Sequence, residues 1–600
     1  MATAIGVTRK FIKGGSFLIE QRLPEEIFTP EDMNDQHRLI ARTAEEFVEN
    51  EIVPNLEAIE EKKPGLLREL LQKAAEVGLC ANDVPQQYGG LEMDKISSII
   101  VSEKMARDGA WAATLGAQAG IGVLPIAFFG TDEQKEKYVP RLARAEWVGA
   151  YCLSEATSAS DALNCKTKAV LSPDRRHYIL NGSKMWITNG GIADVYVVFA
   201  KVDGEKFTAF IVERGFPGVS PGAEEHKMGI RGSSTTPLNL ENVPVPVENV
   251  LGEIGKGHQI AFNILNMGRL KLGAGCIGAC KYLIPEAAKW AQEREAFGHK
   301  IGDFGMIKEK LGGMVVRTYA AETMSYRTTG MIDNLLEDVD QSAPAAAQQI
   351  LQALQEYAVE CSILKVVGTE TLDYVVDETV QIFGGYGFSS DYGVERAYRD
   401  QRVNRIFEGT NEINRLLTVD MLMKRSMKGQ LALMPAAQKL LDEVLSGPPP
   451  EDVEDGQPLG EEAKLVEGAK KAALLVAGSA VQKYLQALAD EQEIVGVLSN
   501  LVIDVYAMES VLLRARKKVG QSTVDGCATD LDAARCYIYE AADRMELEAR
   551  RALARIAEGD TLRSQLALLR RFLRHTPADI IELKRRVANR AMELKRYPFA

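Results

Sequence analysis

Hydrophobic positions in the first quarter of the chain recur at helical spacing. In segment 67–77, apolar side chains fall three or four residues apart, which places them on one face of a helix. Glycine interrupts the pattern at breaks such as segment 88–90. The pattern predicts a helical domain over residues 1–146.

From Trp147 onward the pattern changes to short apolar runs. Segments 195–200 and 207–212 are rich in β-branched and aromatic residues, and a turn-like sequence at 203–206 separates them. Runs of this kind are typical of β-strands rather than helices. The pattern predicts a β domain over residues 147–258.

Helical periodicity then resumes and predicts a second helical domain over residues 259–430. The pattern is interrupted over residues 333–356, an insertion to which we assign no function. A further all-helical segment is predicted over residues 431–600. Near its start, residues 446–460 are rich in proline, glycine and acidic side chains, a composition that cannot continue a helix and marks a linker.

Composition narrows the class of partner. The chain has 600 residues, of which 46% are hydrophobic, and it carries a net charge of −13. Such a chain can form several domains with their own cores. Nucleic-acid binding needs a basic face for the phosphates, so we expect no nucleic-acid partner. The apolar run at 472–481 is shorter than the ~20 residues of a membrane span, and no apolar core of a secretory signal stands near the N-terminus.

The cysteines and histidines indicate a reducing compartment. None of the eight cysteines forms a Cys-x-x-Cys pair, and the six histidines are scattered, so no metal-ligand cluster is predicted. Cys276 and Cys280 share a helix face, where small apolar packing is favoured over redox pairing. We therefore expect reduced, mostly buried thiols and no bound metal.

Segment 405–412 contains a carboxylate in an unusual setting. Glu408 stands between the apolar pair Ile406-Phe407 and Gly409. Poor solvation raises the pKa of a carboxylic acid and makes the carboxylate a stronger base, able to take a weakly acidic proton from carbon. The alternative is that a helix begins at 409–412 and Glu408 merely caps it.

A glycine-rich match at 273–278 fits the pattern G-x-G-x-x-G of dinucleotide-binding folds. That fingerprint requires a preceding strand, whereas segment 264–269 has helical character. Small residues three and four apart instead allow two helices to pack closely. We therefore predict helix packing here.

Two segments of the predicted β domain could face a flat polar ring. Segment 151–161 offers backbone amides and the hydroxyls of Ser154 and Ser160. Trp186 and Thr188 stand two apart, so on a strand they would share a face, with the indole over the ring and the hydroxyl at its edge. The alternatives are an ordinary Ser/Thr-rich turn and a buried core tryptophan.

Two further segments suit phosphate groups. Arg294, in segment 294–298, closes a long predicted helix, and its permanent charge suits a pyrophosphate in bidentate fashion. The alternative is a surface arginine. In segment 381–387, Gly384 and Gly385 let the backbone approach a phosphate closely.

Several of these segments together resemble the acyl-CoA dehydrogenase family of flavoproteins, over about residues 35–430, and the extension to residue 600 resembles its very-long-chain subgroup. The resemblance implies a multidomain α and β fold. This fold has an N-terminal helical domain, a middle β-barrel domain, a four-helix bundle that carries the base, and an extra all-helical C-terminal domain. The resemblance rests on these segments: 151–161, 184–191, 294–298, 381–387 and 405–412.

The resemblance assigns roles residue by residue. Glu408 becomes the catalytic base, because Gly268 stands where some subfamilies carry a glutamate base, and the glycine also removes bulk from the acyl channel. Ser154 replaces the commoner Thr and keeps its hydroxyl, whereas Ala156 replaces the commoner Pro and loosens the turn. The positions implied to contact FAD are Tyr151, Leu153, Ser154, Ser160, Trp186, Ile187, Thr188, Arg294, Phe297, Gln381, Gly384, Gly385, Thr410 and Glu412. The positions implied to contact the acyl-CoA are Ser160, Asn266, Arg269 and Gly409.

The implied activity is FAD-dependent α,β-dehydrogenation of a long-chain fatty acyl-CoA to a trans-2-enoyl-CoA in β-oxidation. Electrons would pass to electron-transfer flavoprotein. Arg294 and segment 381–385 would reach the FAD of a neighbouring subunit, which implies a homodimer or a dimer of dimers. The rivals are an acyl-CoA oxidase that uses O2, and a catalytically idle member that acts as an assembly partner. The expected location is the cytoplasm of a bacterium, or the mitochondrial matrix in a eukaryote.

The C-terminal segment 563–600 reverses the acidic balance of the chain. It holds ten Lys and Arg side chains against three acidic ones, interleaved with apolar residues at helical spacing. Amphipathic helices with basic borders can lie on an anionic membrane surface, so peripheral membrane contact is one prediction. The alternative is a helix packed on the catalytic core with solvated arginines.

Overall fold

The computed structural model describes residues 11–340, 343, 345–446, 457–522 and 525–599. The N-terminal part is helical, and several of its helices begin at side-chain caps, as where the carboxylate of Asp108 accepts the Trp111 amide. The apolar face predicted for 67–77 is buried in α3. The helices are α1 (Asp35–Phe47), α2 (Leu56–Glu60), α3 (Leu66–Glu76), α4 (Lys95–Lys104), α5 (Gly109–Gly116), α6 (Leu124–Phe129) and α7 (Asp132–Ala143).

A twisted sheet follows the helices, in the order β6-β7-β3-β2-β4-β5-β8, with β1 parallel to β4. The strands are β1 (Gly149–Cys152), β2 (Lys168–Leu171), β3 (His177–Thr188), β4 (Val195–Val202), β5 (Lys206–Glu213), β6 (Val219–Pro221), β7 (Thr235–Pro246) and β8 (Val250–Leu251). The predicted runs form the antiparallel pair β4 and β5, and their turn places Asp203 and Gly204 at positive φ. The predicted β-rich region is therefore confirmed.

Long helices form the second helical region, joined by a small hairpin of β9 (Glu295–Ala296) and β10 (His299–Lys300). A Cβ atom on Gly278 would lie 1.9 Å from the Glu103 carbonyl oxygen, and one on Gly273 would lie 3.0 Å from the Leu364 carbonyl oxygen. The glycine-rich stretch therefore lies within a helix and permits close helix packing, as predicted. The helices are α8 (Gly257–Glu293), α9 (Gly305–Leu336), α10 (Ala346–Glu356), α11 (Ala358–Phe383), α12 (Val394–Gln401) and α13 (Asn411–Met427).

The insertion at 333–356 differs from the expected interruption. Its described part is largely helical, because α9 continues to Leu336 and α10 begins at Ala346. The Asp333 carboxylate accepts the backbone N–H groups of Lys95 and Ile96, and so caps α4 from another helix. Residues 341, 342 and 344 of the insertion lie outside the described residues.

An additional helical region completes the described chain. Residues 447–456 of the predicted linker lie outside the described residues, as do residues 1–10. The helices are α14 (Leu433–Ser446), α15 (Gly460–Tyr484), α16 (Gln492–Gln521), α17 (Ala528–Ile556), α18 (Gly559–Phe572) and α19 (Ile580–Leu594).

A buried charge network joins this additional region to the core. The guanidinium of Arg514 on α16 contacts Glu322 on α9 at 2.7 Å and Glu31 near the N-terminus at 2.7 Å. Lys281 on α8 also pairs with Glu322, and with Glu103 on α4 at 2.7 Å. Because each of these buried carboxylates has a close cation, the charges are compensated. The network ties the extension to α4, α8 and α9.

The basic C-terminal segment packs its apolar side chains inward. Leu569, Leu573, Leu583 and Val587 are buried. Lys584 is also buried and lies 2.6 Å from the carboxylates of both Glu309 and Glu540. The packed-helix alternative therefore describes α18 and α19, although Ile581 on α19 is exposed and joins the charged borders at the surface.

Two helical stretches are long and apolar enough to cross a membrane, Gly109–Phe129 and Gln492–Gln521. The sequence analysis had predicted none. Most of each stretch is buried inside the fold, and the second carries Arg514 of the charge network. By length and composition alone, core helices of this kind pass the same criterion.

All eight cysteines are free and buried, which confirms the predicted burial of the thiols. Burial raises the pKa of Cys276 to about 12 and that of Cys280 well above its usual value. Within the described residues, no group of His, Cys, Asp and Glu side chains could hold a metal ion.

Candidate active site

Glu408 lies in a tight loop immediately before α13. Its φ is 56° and that of Gly409 is 80°, so two consecutive residues adopt the left-handed region, which is unfavourable for a non-glycine residue. The hydroxyl of Thr410 accepts the Ile413 amide and caps the helix. The capping alternative for Glu408 is therefore wrong, because Thr410 performs that role and the Glu408 side chain is turned toward α8.

Asn414 and Arg269 hold this loop. The Asn414 amide donates to the carbonyl oxygens of Gly409 at 2.8 Å and Thr410 at 3.0 Å. Arg269 donates from Nε to the Glu408 carbonyl at 3.3 Å and from Nη1 to Asn266 Oδ1 at 2.9 Å. Both Asn266 and Arg269 are buried and support the loop, and their contact with the acyl-CoA stays a prediction.

Oε2 of the Glu408 carboxylate is buried without a close partner. A Cβ atom on Gly268 would lie 2.7 Å from Glu408 Oε2, and this oxygen has no hydrogen-bond partner among the described residues. Burial raises the pKa of Glu408 to about 7, opposed by the charges of Arg269 and Lys365. A carboxyl group with this pKa can exchange a proton near neutral pH.

Lys365 is a buried cation that the sequence analysis missed. Its ammonium donates to Asn411 Oδ1 at 2.7 Å, at the first turn of α13. Burial lowers the pKa of Lys365 to about 8, opposed in part by Glu408. No ion pair to Lys365 occurs among the described residues. Its charge therefore acts on Glu408 from beyond contact distance.

A cavity of about 590 Å³ begins at Glu408 and runs along α8. Its lining residues on α8 recur every three or four positions, which places them on one face of the helix. Thr188 lies at the same cavity. Small residues on α5 and the turn after it widen the channel: Ala113, Gly116, Ala117 and Gly120. The lining along α8 includes Gly268, Leu272, Gly275, Ala279 and Tyr282. The shape and apolar wall fit an unbranched hydrocarbon chain.

The β region contributes aromatic and polar groups near Glu408. The Tyr151 hydroxyl is buried without a hydrogen-bond partner, and burial together with the charge of Glu408 raises the pKa of Tyr151 well above its usual value. Trp186 is 57% exposed, so it is not a core tryptophan. Its φ is 57°, and the β3–β7 register shifts between Lys184 and Ile187. The strand is irregular just before this pair, yet Ile187 between them is buried while Trp186 is exposed and Thr188 is partly exposed, so the placing of Trp186 and Thr188 on one strand face stays a prediction.

An ion pair and hydrogen bonds fix the segment that follows β1. Glu155 pairs with the buried Lys184 at 2.7 Å, and its carboxylate accepts the Thr167 amide at 3.1 Å. Leu153 is buried beside it, as is Ile187. Ser154 is partly exposed, and its carbonyl accepts the Met185 amide at 3.0 Å. Ser160 is exposed and does not line the cavity.

The remaining predicted cofactor positions cluster elsewhere. A second cavity of about 530 Å³ is lined by Arg294, Gly384 and Gly385. The Arg294 guanidinium lies 5.3 Å from the Tyr386 ring centroid. Exposed positions flank this cluster: Phe297, at 92% exposure, and Gln381. The lining of the second cavity comes from α8, α11 and the turns that follow them, and four of its residues also line the first cavity: Trp290, Phe383, Asp391 and Tyr392.

Thr410 and Glu412 occupy the start of α13. Glu412 is exposed, and hydrogen bonds from its own backbone and from Thr410 lower the pKa of its carboxyl group. Gly409 is restricted by the Asn414 amide, which would lie 3.1 Å from an added Cβ atom. These residues shape the loop of Glu408 rather than line the main cavity.

The sequence matches descriptions of one family along most of its length. "Acyl-CoA dehydrogenase, N-terminal domain" matches residues 34–146, and "Acyl-CoA dehydrogenase, middle domain" matches residues 150–243. Two descriptions named "Acyl-CoA dehydrogenase, C-terminal domain" match residues 255–423 and 468–571.

Relatives support the same grouping. A probable acyl-CoA dehydrogenase of Bacillus subtilis (strain 168) is 48% identical over 585 residues, 98% of each chain. The mitochondrial very long-chain specific acyl-CoA dehydrogenase of Rattus norvegicus is 36% identical over 509 residues, 80% of this chain and 74% of that protein. A crystal structure of an acyl-CoA dehydrogenase complexed with FAD from Bacillus anthracis has a TM-score of 0.96 and 46% identity, covering 98% of this chain and 100% of that one. This chain belongs to the acyl-CoA dehydrogenase family.

Proposed function

We propose that this protein catalyses the FAD-dependent α,β-dehydrogenation of long-chain fatty acyl-CoA to trans-2-enoyl-CoA, as a step of fatty acid β-oxidation. The observation that carries the proposal is Glu408. Its buried carboxylate has no hydrogen-bond partner at Oε2 among the described residues and stands at a long apolar channel. A base in that position meets the carbon next to a thioester whose acyl chain fills the channel.

Glu408 accepts the α-proton in this proposal. With a pKa of about 7, a large fraction of Glu408 is ionised at neutral pH and yet binds a proton readily. The apolar channel wall keeps water from the carboxylate once the acyl chain is bound. The thioester oxygen, where negative charge develops, needs hydrogen-bond donors, and we assign one of these to the backbone N–H of Glu408.

The residues near Glu408 fit a flat heteroaromatic cofactor. The exposed Trp186 indole offers a stacking face, and the orphaned Tyr151 hydroxyl and the Thr188 hydroxyl offer polar contacts. FAD, when bound there, would supply the acceptor for the hydride that leaves the β-carbon. The relative from Bacillus anthracis, which is complexed with FAD, supports this assignment.

A shared cofactor site would make the protein an oligomer. Arg294, Gly384 and Gly385 suit a pyrophosphate. The resemblance to the family assigns these residues to the FAD of a neighbouring subunit. We therefore assign a homodimer, or a dimer of dimers, in which each cofactor site is shared.

The deciding experiment is anaerobic bleaching of the bound flavin by acyl-CoAs of graded chain length. Reduction that is fastest with long chains, with little peroxide release under air and rapid reoxidation by electron-transfer flavoprotein, supports the proposal. Stoichiometric peroxide under air would identify an acyl-CoA oxidase instead. If no acyl-CoA reduces the flavin, the protein would instead be a catalytically idle family member that acts as an assembly partner.

The cytoplasm of a bacterium, or the mitochondrial matrix of a eukaryote, suits this reaction. Contact with a membrane would be mainly electrostatic, because Leu569, Leu583 and Val587 are buried in the fold and Ile581 is the one large apolar side chain of α18 and α19 that is exposed among the described residues. Exposed cations at Arg570, Arg571 and Arg574 could contact anionic lipid. Replacing all three by Gln should abolish low-salt binding to anionic vesicles. Unchanged binding would eliminate the membrane contact through this segment.

A further inference from the structure

Arg107 lies in the turn between α4 and α5 and lines the same cavity as Glu408. Its Nη1 atom is buried without a hydrogen-bond partner, and the described residues provide Arg107 with no ion pair. A guanidinium has five N–H donors, and leaving them unused away from water is costly. The contacts of Arg107 within the described residues therefore leave its positive charge unpaired.

Tyr282 fixes the position of this guanidinium. The Arg107 Cζ atom lies 3.2 Å from the centroid of the Tyr282 ring, a cation–π arrangement that holds the guanidinium plane while its edge stays open. Glu286, Glu49 and Asp108 face Arg107 from beyond ion-pair distance. Burial lowers the pKa of Arg107 and these three carboxylates oppose that effect, but none of them pairs with its donors.

The distance between Glu408 and Arg107 determines how long an acyl chain must be to reach Arg107. Gly268 contacts Glu408, and Tyr282 lies on the same lined face of α8. At about 1.5 Å per residue, the two are separated by about 21 Å along the helix axis. An extended chain advances about 1.2 Å per bond, so about seventeen bonds join the reacting carbons to the guanidinium. The end of a long acyl chain reaches this point.

We propose that Arg107 binds a carboxylate at the far end of the acyl chain, so that the enzyme accepts long-chain dicarboxylic acids as their mono-CoA thioesters. A terminal carboxylate can accept two hydrogen bonds from the open edge of the guanidinium. The small and apolar residues between Gly268 and Tyr282 leave room for the methylene chain. This inference rests on the proposed function and adds a substrate class to it.

The test compares hexadecanoyl-CoA with the mono-CoA thioesters of α,ω-diacids of twelve to twenty carbons, using reduction of the bound flavin by the full-length holoenzyme. In the native protein, kcat/KM for the diacid thioesters should be highest near eighteen carbons. Arg107→Met should lower the diacid-to-monoacid ratio of kcat/KM by about ten- to hundredfold, the range expected for a hydrogen-bonded charge pair. The ω-hydroxy analogue, which lacks the charge, should lose less.

Lys104→Met is the matched control, because Lys104 ends the helix that precedes Arg107, pairs with Glu45 and does not line the cavity. It should leave the ratio unchanged. A ratio in Arg107→Met equal to that of the native protein, or a diacid preference without dependence on length, would overturn the inference while monoacyl-CoA still bleached the flavin. If no acyl-CoA bleached the flavin, the proposed function itself would fail.

Discussion

Glu408 and Glu322 are both buried carboxylates, yet their environments drive their pKa values in opposite directions. Glu322 contacts Lys281 and Arg514 and accepts the Tyr597 hydroxyl at 3.0 Å, and the two cations lower its pKa against the effect of burial. Glu408 has no such contact at Oε2, and burial raises its pKa to about 7. A carboxylate in contact with cations, such as Glu322, stays ionised and stabilises the fold. Glu408 has no cation in contact at Oε2 and can therefore bind and release a proton near neutral pH.

Glu408→Gln carries the largest expected effect. Removing the base should slow single-turnover flavin reduction by at least about 10²–10⁴-fold, measured by stopped-flow absorbance with a long-chain acyl-CoA. Stability should not fall, because the ionised carboxylate is unfavourable in the folded protein. Glu322→Gln should show the opposite pattern, with lowered stability. Native-rate bleaching in Glu408→Gln would remove Glu408 from the chemistry.

Arg514→Met tests the paired carboxylates. It leaves Glu322 and Glu31 with one cation fewer in a buried site, which should cost about 3–5 kcal/mol in the free energy of unfolding. Chemical denaturation followed by circular dichroism measures this loss. Arg551→Met is the control, because Arg551 is exposed and pairs with Glu548 at the surface, and it should change stability by less than about 0.5 kcal/mol. Equal effects would mean that the network is not a stabilising junction.

Gly268→Ala tests the close approach of Glu408 to α8. The added methyl group would overlap the carboxylate, which is the flexible end of a side chain and can move aside. We expect a folded protein whose flavin reduction is slowed by up to about a hundredfold, because the base is displaced. Gly496→Ala, in α16 with nothing within 4 Å of the added atom, should retain the native rate. A native rate in Gly268→Ala would show that the carboxylate position is not critical.

The pH dependence carries the smallest expected effect. Since the base must be ionised, flavin reduction should rise with pH through about 7. The sign for stability is opposite. The folded-state pKa lies above the unfolded value near 4.5, so the contribution of Glu408 to stability is present below that value and is lost as pH rises through about 7.

Lys365→Met should shift the midpoint of the pH–rate profile upward. Removing the buried charge makes ionisation of Glu408 less favourable, by on the order of one pH unit or less. Lys310→Met, which removes a cation that pairs with Glu378, should leave the midpoint in place. A profile that does not move in Lys365→Met would show that its charge is not felt at the base.

The features that the sequence predicted correctly are those set by residues close to one another along the chain. Helical periodicity and the β4–β5 pair followed from neighbouring residues, and so did the raised pKa of Glu408, whose neighbours are apolar. The sequence analysis missed groups that tertiary packing brings to the site: Lys365 on α11, Asn414 on α13 and Arg107 between α4 and α5. The irregularity in β3 was also missed, since alternation assumes an unbroken ladder. The sequence did not predict α10, because the break before it indicates a loop more strongly than the alanine-rich sequence after it indicates a helix.

The left-handed conformation of Glu408 has a consequence for the behaviour of the protein on heating. Such a residue stores about 1–3 kcal/mol of backbone strain, which persists only while its surroundings over-determine it. Here the restraint comes from two side chains only, the Asn414 amide on α13 and the Arg269 guanidinium on α8. A segment held by a few polar contacts belongs to the low-stability end of local opening. Catalytic activity should therefore be lost reversibly at temperatures at which the helices are still intact.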